Sequence, residues 1–149
     1  MFCFKNNRLH CEGVSIKIPE GAYLDFSESH FNSNAVIFRT ALTDISVKIS
    51  LSDEGKCADT LMTDKYRYTN VQYSVVPTVL PNGFRGYHSY HHNTDFDIFV
   101  YDARFDLPNG KVFCIYIVSD DTFSETIAAA IVEEIDFQYS GEPMDLTPN

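Results

Sequence analysis

The stretch Ile45-Ser46-Val47-Lys48-Ile49-Ser50-Leu51 carries an apolar residue at every odd position and a polar one at every even position. Period-two alternation is the pattern of a strand with one buried and one wet face, and a helix cannot use it. Val14-Ser15-Ile16-Lys17-Ile18 repeats the pattern, and Pro19-Glu20-Gly21 ends that strand. Ala35–Thr40, entered from the polar loop Ser27–Asn34, is a third candidate. Val71–Leu80 is a fourth, where Pro77 calls for an edge position or a bulge.

Pro81-Asn82-Gly83 then turns the chain into Phe84–Asn93, and Asn93-Thr94-Asp95 turns it into Phe96–Phe105. Pro108-Asn109-Gly110 leads on to Lys111–Val118, so that four strands form a meander. The last two runs are apolar on both faces: Ile98 and Val100 against Phe99 and Tyr101, Cys114 and Tyr116 against Phe113, Ile115 and Ile117. A strand apolar on both faces is covered on both faces, which predicts helices on each side of the sheet. Two helices are readable. One runs from Phe123 to Phe137, with Phe123, Ile127, Ile131 and Ile135 spaced four apart and Thr122 with Glu125 as a capping box. The other runs from Gly55 to Tyr66, with Cys57, Leu61, Met62 and Lys65 on one side. The expected fold class is therefore α+β, a mostly antiparallel sheet sandwiched by helices in an α/β/α arrangement.

At 149 residues the chain is the size of one domain and long enough to bury a core without metal or disulfides. We expect that domain over residues 1–140 and a short polar tail over 141–149. Four cysteines, at 3, 11, 57 and 114, have no metal-like spacing and read as free thiols. The alternative is a Cys3–Cys11 disulfide, if a three-residue loop at Asn6-Asn7 sets them opposite each other in a hairpin. The net charge of −10 argues against nucleic acid and anionic membranes, which need a basic surface. No run approaches the ~18 apolar residues of a membrane helix, and Met1–Arg8 lacks the apolar stretch of a signal peptide. The expectation is a cytoplasmic protein.

The phrase Gly13-Val14-Ser15-Ile16-Lys17-Ile18-Pro19-Glu20-Gly21, the long strands and central helix after it, Pro81-Asn82-Gly83-Phe84-Arg85-Gly86, a hairpin and a last helix follow in order. This order resembles the PsbP-like fold, named for an extrinsic photosystem subunit and shared with a Ran-binding nuclear import factor of yeast. The resemblance covers most of residues 13–138 and implies a bacterial-type member of a family made largely of non-catalytic, protein-binding modules, some of them toxin-neutralising. It carries over no functional residue.

The sequence contains no GxSxG, P-loop, GxGxxG, HExxH or EF-hand pattern. Its most suggestive segment is Arg85–Asn93 with Asp95 and Asp97, which holds three of the five histidines. On a strand His88 and His92 share a face but lie roughly 13 Å apart, too far for one metal. His91 and His92 point to opposite faces. Arg85, Tyr87, Tyr90, His91 and His92 are residue types that anchor interfaces, so they form the candidate protein-binding surface. The carboxylate pairs Asp120/Asp121 and Glu133/Glu134 read as helix-start charge and wet helix face. The functional expectation is a non-catalytic domain, without cofactor, that docks on or neutralises a basic partner protein. The alternative is a small enzyme or a ligand- or metal-binding protein using His88–Asp97.

Overall fold

A computed structural model of the chain describes residues 2–25, 35–40, 45–53, 57–66 and 74–141. The loop Ser27–Asn34, the starts of the fourth strand and of the first helix, and the tail from Glu142 lie outside them. The elements are β1 (Cys3–Lys5), β2 (Arg8–Cys11), β3 (Val14–Ile16), β4 (Ala22–Leu24), β5 (Ala35–Thr40), β6 (Ser46–Ser52), α1 (Ala58–Tyr66), β7 (Val76–Val79), β8 (Arg85–Asn93), β9 (Ile98–Asp106), β10 (Val112–Ser119), α2 (Glu125–Glu134) and β11 (Gln138–Tyr139). They form a seven-stranded sheet in the order β4-β5-β6-β10-β9-β8-β7 and a four-stranded sheet in the order β1-β2-β3-β11. Every strand pair is antiparallel.

The α/β/α sandwich is therefore corrected. The chain is mostly antiparallel β, in two sheets, with only two helices among the described residues. On one face of the large sheet Val36, Phe38, Val47, Ile49, Phe113, Ile115 and Ile117 pack with Leu9, Val14 and Ile16 of the small sheet and Ala128, Ile131 and Ile135 of α2. A second sheet supplies much of the cover that helices were expected to give. The opposite face is apolar only in part. Beyond Val100, β9 presents Asp102, Arg104 and Asp106 on that side, and the single short helix α1 packs over β8 and β9 there. Polar contacts replace a helical layer.

Turn chemistry sets the register. Leu80-Pro81-Asn82-Gly83 and Leu107-Pro108-Asn109-Gly110 are the same four residues, and they fold alike. In each, the Gly N–H donates to the Leu carbonyl (2.8 and 3.0 Å) and the Leu N–H to the residue after Gly (2.9 Å in both). The glycines sit at φ +90° and +82°, the left-handed position that closes a type I turn in a hairpin. Because Leu80 faces β8, so do Thr78 and Val76, and Pro77 turns its donorless nitrogen outward on an edge strand. At the N-terminus Asn6 and Asn7 both take positive φ (55° and 61°), a two-residue turn rather than a three-residue loop. Cys3 consequently faces His10, Cys11 faces Val14, and the two form no disulfide.

Helix α2 starts later than its sequence suggests. Ser124, not Thr122, is the N-cap and accepts from the Ile127 N–H at 3.1 Å. A strict four-residue spacing drifts around a 3.6-residue helix, so Ile127 is left exposed while Ala128 and Val132 join Ile131 and Ile135 in the core.

Candidate functional site

Strand β8 was the segment expected to bind. Its pleat divides the five candidate residues between two faces. Arg85, Tyr87 and His91 share the α1 side of the sheet; Tyr90 and His92 share the core side with His88. Arg85 and His92 are exposed, Tyr87 and Tyr90 half-buried and His91 buried, so the five do not form one continuous patch. Tyr90 donates its hydroxyl to the Phe123 carbonyl, just before α2. His92 stacks on Phe99 with centroids 4.4 Å apart and meets Asp97 at 2.8 Å. His88 is held from both sides, by Thr78 at Nδ1 and by Glu125 at 2.5 Å from Nε2, and stacks on Tyr101. Each imidazole is engaged by its neighbours in the strand-and-helix framework. Among the described residues no group of three His, Cys, Asp or Glu is placed to hold a metal ion.

On the α1 side of the sheet, the register of β8, β9 and β10 brings together residues far apart in sequence. Ser89, Asp102 and Tyr116 lie in one row across the three strands, with Tyr87, Arg104 and Cys114 in the next. Asp102 is 1% exposed and accepts from Lys65 Nζ (2.9 Å), Tyr66 Oη (2.8 Å) and Arg104 Nε (3.1 Å). Burial alone would raise the Asp102 pKa, but the charges and hydrogen bonds of Lys65 and Arg104 outweigh it and hold the carboxyl below its ordinary range. Burial lowers the Lys65 pKa against the pull of Asp102, and its ammonium lies 3.9 Å from the Tyr116 ring centroid. Beside this cluster the His91 ring is hydrogen-bonded to Ser89 Oγ at 3.0 Å and meets the Tyr66 ring edge-on, and burial lowers its pKa. Ser, His and Asp are thus neighbours, but Ser89 is 0% exposed, so its hydroxyl is sealed from solvent. The row is a structural network. Burial likewise pushes the Cys114 thiol up to about 11, which makes it a poor nucleophile.

A hollow lies elsewhere. A cleft of about 610 Å³ opens where the end of α2, the strand end Lys17–Glu20 and the Leu80–Asn82 turn meet. Its walls are tied together by backbone and side-chain bonds: the Lys17 N–H donates to the Ile135 carbonyl at 2.6 Å, and Asn82 Nδ2 donates to the Phe137 carbonyl at 2.7 Å. Four exposed carboxylates line it, those of Glu20, Glu133, Glu134 and Asp136. Lys17 also lines it, and Asp136 is paired at 2.7 Å with Arg8, which lies outside the lining. Four negative charges meet two positive ones.

Glu133 and Glu134 occupy the last turn of α2, which contains no basic residue. The aligned peptide dipoles make the helix end partially negative, so acids are disfavoured by roughly 0.3–1 kcal/mol each and cations preferred. The sequence shows these two glutamates but not the cleft, because Glu20 and Asn82 reach it only through the fold. No protein-family model matches the chain, and no curated protein matches it.

Proposed function

We propose that the protein is a non-catalytic binding domain whose acidic cleft receives a basic segment of a partner protein. The observation that carries this is the placement of Glu133 and Glu134 at the wrong end of α2 for helix stability, on the rim of the 610 Å³ cleft. Local rules are broken at functional sites more often than elsewhere. An ammonium or guanidinium bound between these carboxylates and Glu20 would relieve the unfavourable charge that the helix end now bears. The chain's net charge of −10 would draw such a partner in over a distance set by ionic strength. The rival, an enzyme or metal site in His88–Asp97, has weaker support because His88 is held between Thr78 and Glu125, and the buried Ser89–His91 pair faces away from the solvent.

The test is affinity purification from the native cell at low and at physiological salt, with wild type and with the Glu20→Gln/Glu133→Gln/Glu134→Gln variant as baits. Wild type should retain a basic protein more strongly at low salt, and the variant should lose it. Retention of no macromolecule, or equal retention by both baits, overturns the proposal.

A further inference from the structure

Helix α1 is built unlike the rest of the fold. Its nine residues include Asp59, Thr60, Thr63 and Asp64, all weak helix formers, and a helix this short is marginal on its own. Yet it contributes nothing to the main core. Ala58 and Leu61 pack only in a small separate cluster with Val112, Tyr87 and Cys114, whereas the main core is drawn from the two sheets, α2 and the connecting segments. Met62 and Tyr66 are also buried, outside both clusters, and the polar anchors of α1 sit at its two ends. At the start, the Ala58 N–H donates to Asp106 Oδ1 at 2.8 Å. At the finish, Lys65 and Tyr66 both donate to Asp102 Oδ2. Both carboxylates belong to β9. Four residues of strand span about 13 Å, and eight residues of helix rise about 12 Å, so the two acceptors are spaced to match the helix.

We propose that α1 is a strap, clasped at each end by a carboxylate of β9, that lifts from the sheet as a unit while the main core stays folded. The two terminal clasps and the apolar contacts between them release together, because a helix this short cannot persist once detached. Lifting would uncover Ser89, His91, Asp102 and Val112, which are buried beneath it now. The open form would then display a polar row and an imidazole that the closed form hides. Global unfolding would additionally expose Ile49, Phe113, Ile115 and Ile117, none of which touches the strap cluster.

Native-state hydrogen exchange across sub-denaturing urea distinguishes the two openings. Amides of Leu61 and Met62 should exchange faster than those of Ile115 and Ile117, with little dependence on urea. Tyr66→Phe removes one hydrogen bond to a charged acceptor and should speed the α1 amides about tenfold or more. Asp106→Ala, which removes the other clasp, should act in the same direction and on the same amides. A shared opening with one urea dependence for α1 and β10, or variants that leave the α1 amides unchanged, overturns the strap.

Discussion

Replacing Asp102 by alanine should expose how much of the α1 side of the sheet rests on one carboxylate. The substitution removes the acceptor of Lys65, Tyr66 and Arg104 together and leaves the Arg104 guanidinium, 14% exposed, without its charge partner. Breaking a buried pair from one side costs about 3–5 kcal/mol. The Lys65 side chain is 36% exposed and so partly screened, which places the expectation at the lower end, about 3 kcal/mol. For a chain of this length that lowers Tm by roughly 6–12 °C. The pH dependence has a definite sign. The folded-state pKa of Asp102 is depressed, so its contribution is present above the unfolded value of about 3.9 and is lost as pH falls through the folded value. Urea denaturation of wild type and Asp102→Ala should therefore show a gap that is constant from about pH 7 to 5 and narrows below about pH 4. The triple variant Lys65→Met/Asp102→Leu/Arg104→Met, which removes every charge at once, should cost less than Asp102→Ala alone. A loss under 1 kcal/mol at pH 7, or a gap that widens on acidification, would refute the reasoning.

Three further outcomes follow from particular residues. A Cβ on Gly86 would stand 1.8 Å from the Arg104 carbonyl oxygen, a backbone atom that cannot swing aside, so Gly86→Ala should cost about 3 kcal/mol in urea denaturation; a change below 1 kcal/mol would contradict the close strand approach. Ser124→Ala should cost about 1 kcal/mol and Thr122→Ala close to nothing, since only Ser124 caps α2; the reverse ranking in thermal melts would move the helix start. Glu133→Gln and Glu134→Gln should each raise stability by a few tenths to about 1 kcal/mol, seen as a higher Tm. A fall in Tm would mean that the two acids stabilise the fold and are not held for binding.

The parts of the fold legible in the sequence are those where local chemistry and burial agree. The alternation at 45–51 becomes β6, with Val47, Ile49 and Leu51 buried. The Pro-Asn-Gly turns join β7 to β8 and β9 to β10 because Gly83 and Gly110 supply the left-handed residue each turn needs. Of the small sheet only β3 shows the alternation in the sequence, within Val14–Ile18; β1, β2 and β11 are two to four residues long, too short for periodicity to register. No local signal assembles them into a second sheet, so helices are expected on a face that β1, β2, β3 and β11 help to cover. The role of Asp102 is not legible in the sequence because its donors arrive from α1, 36 and 37 residues away, and from a side chain on its own strand. Likewise Glu133 and Glu134 read as an ordinary wet helix face, and only the crossing of the Lys17–Glu20 and Leu80–Asn82 segments turns that face into a cleft wall.

The cleft itself is open to a direct measurement. Titrating the labelled protein with a lysine- and arginine-rich peptide and following backbone amide shifts by NMR would locate the contact residue by residue. The account predicts saturable shifts centred on Lys17, Glu20, Asn82, Glu133 and Glu134, weakening as salt rises. Shifts scattered over every acidic surface without saturation, or centred on Arg85 to His92 instead, would contradict it.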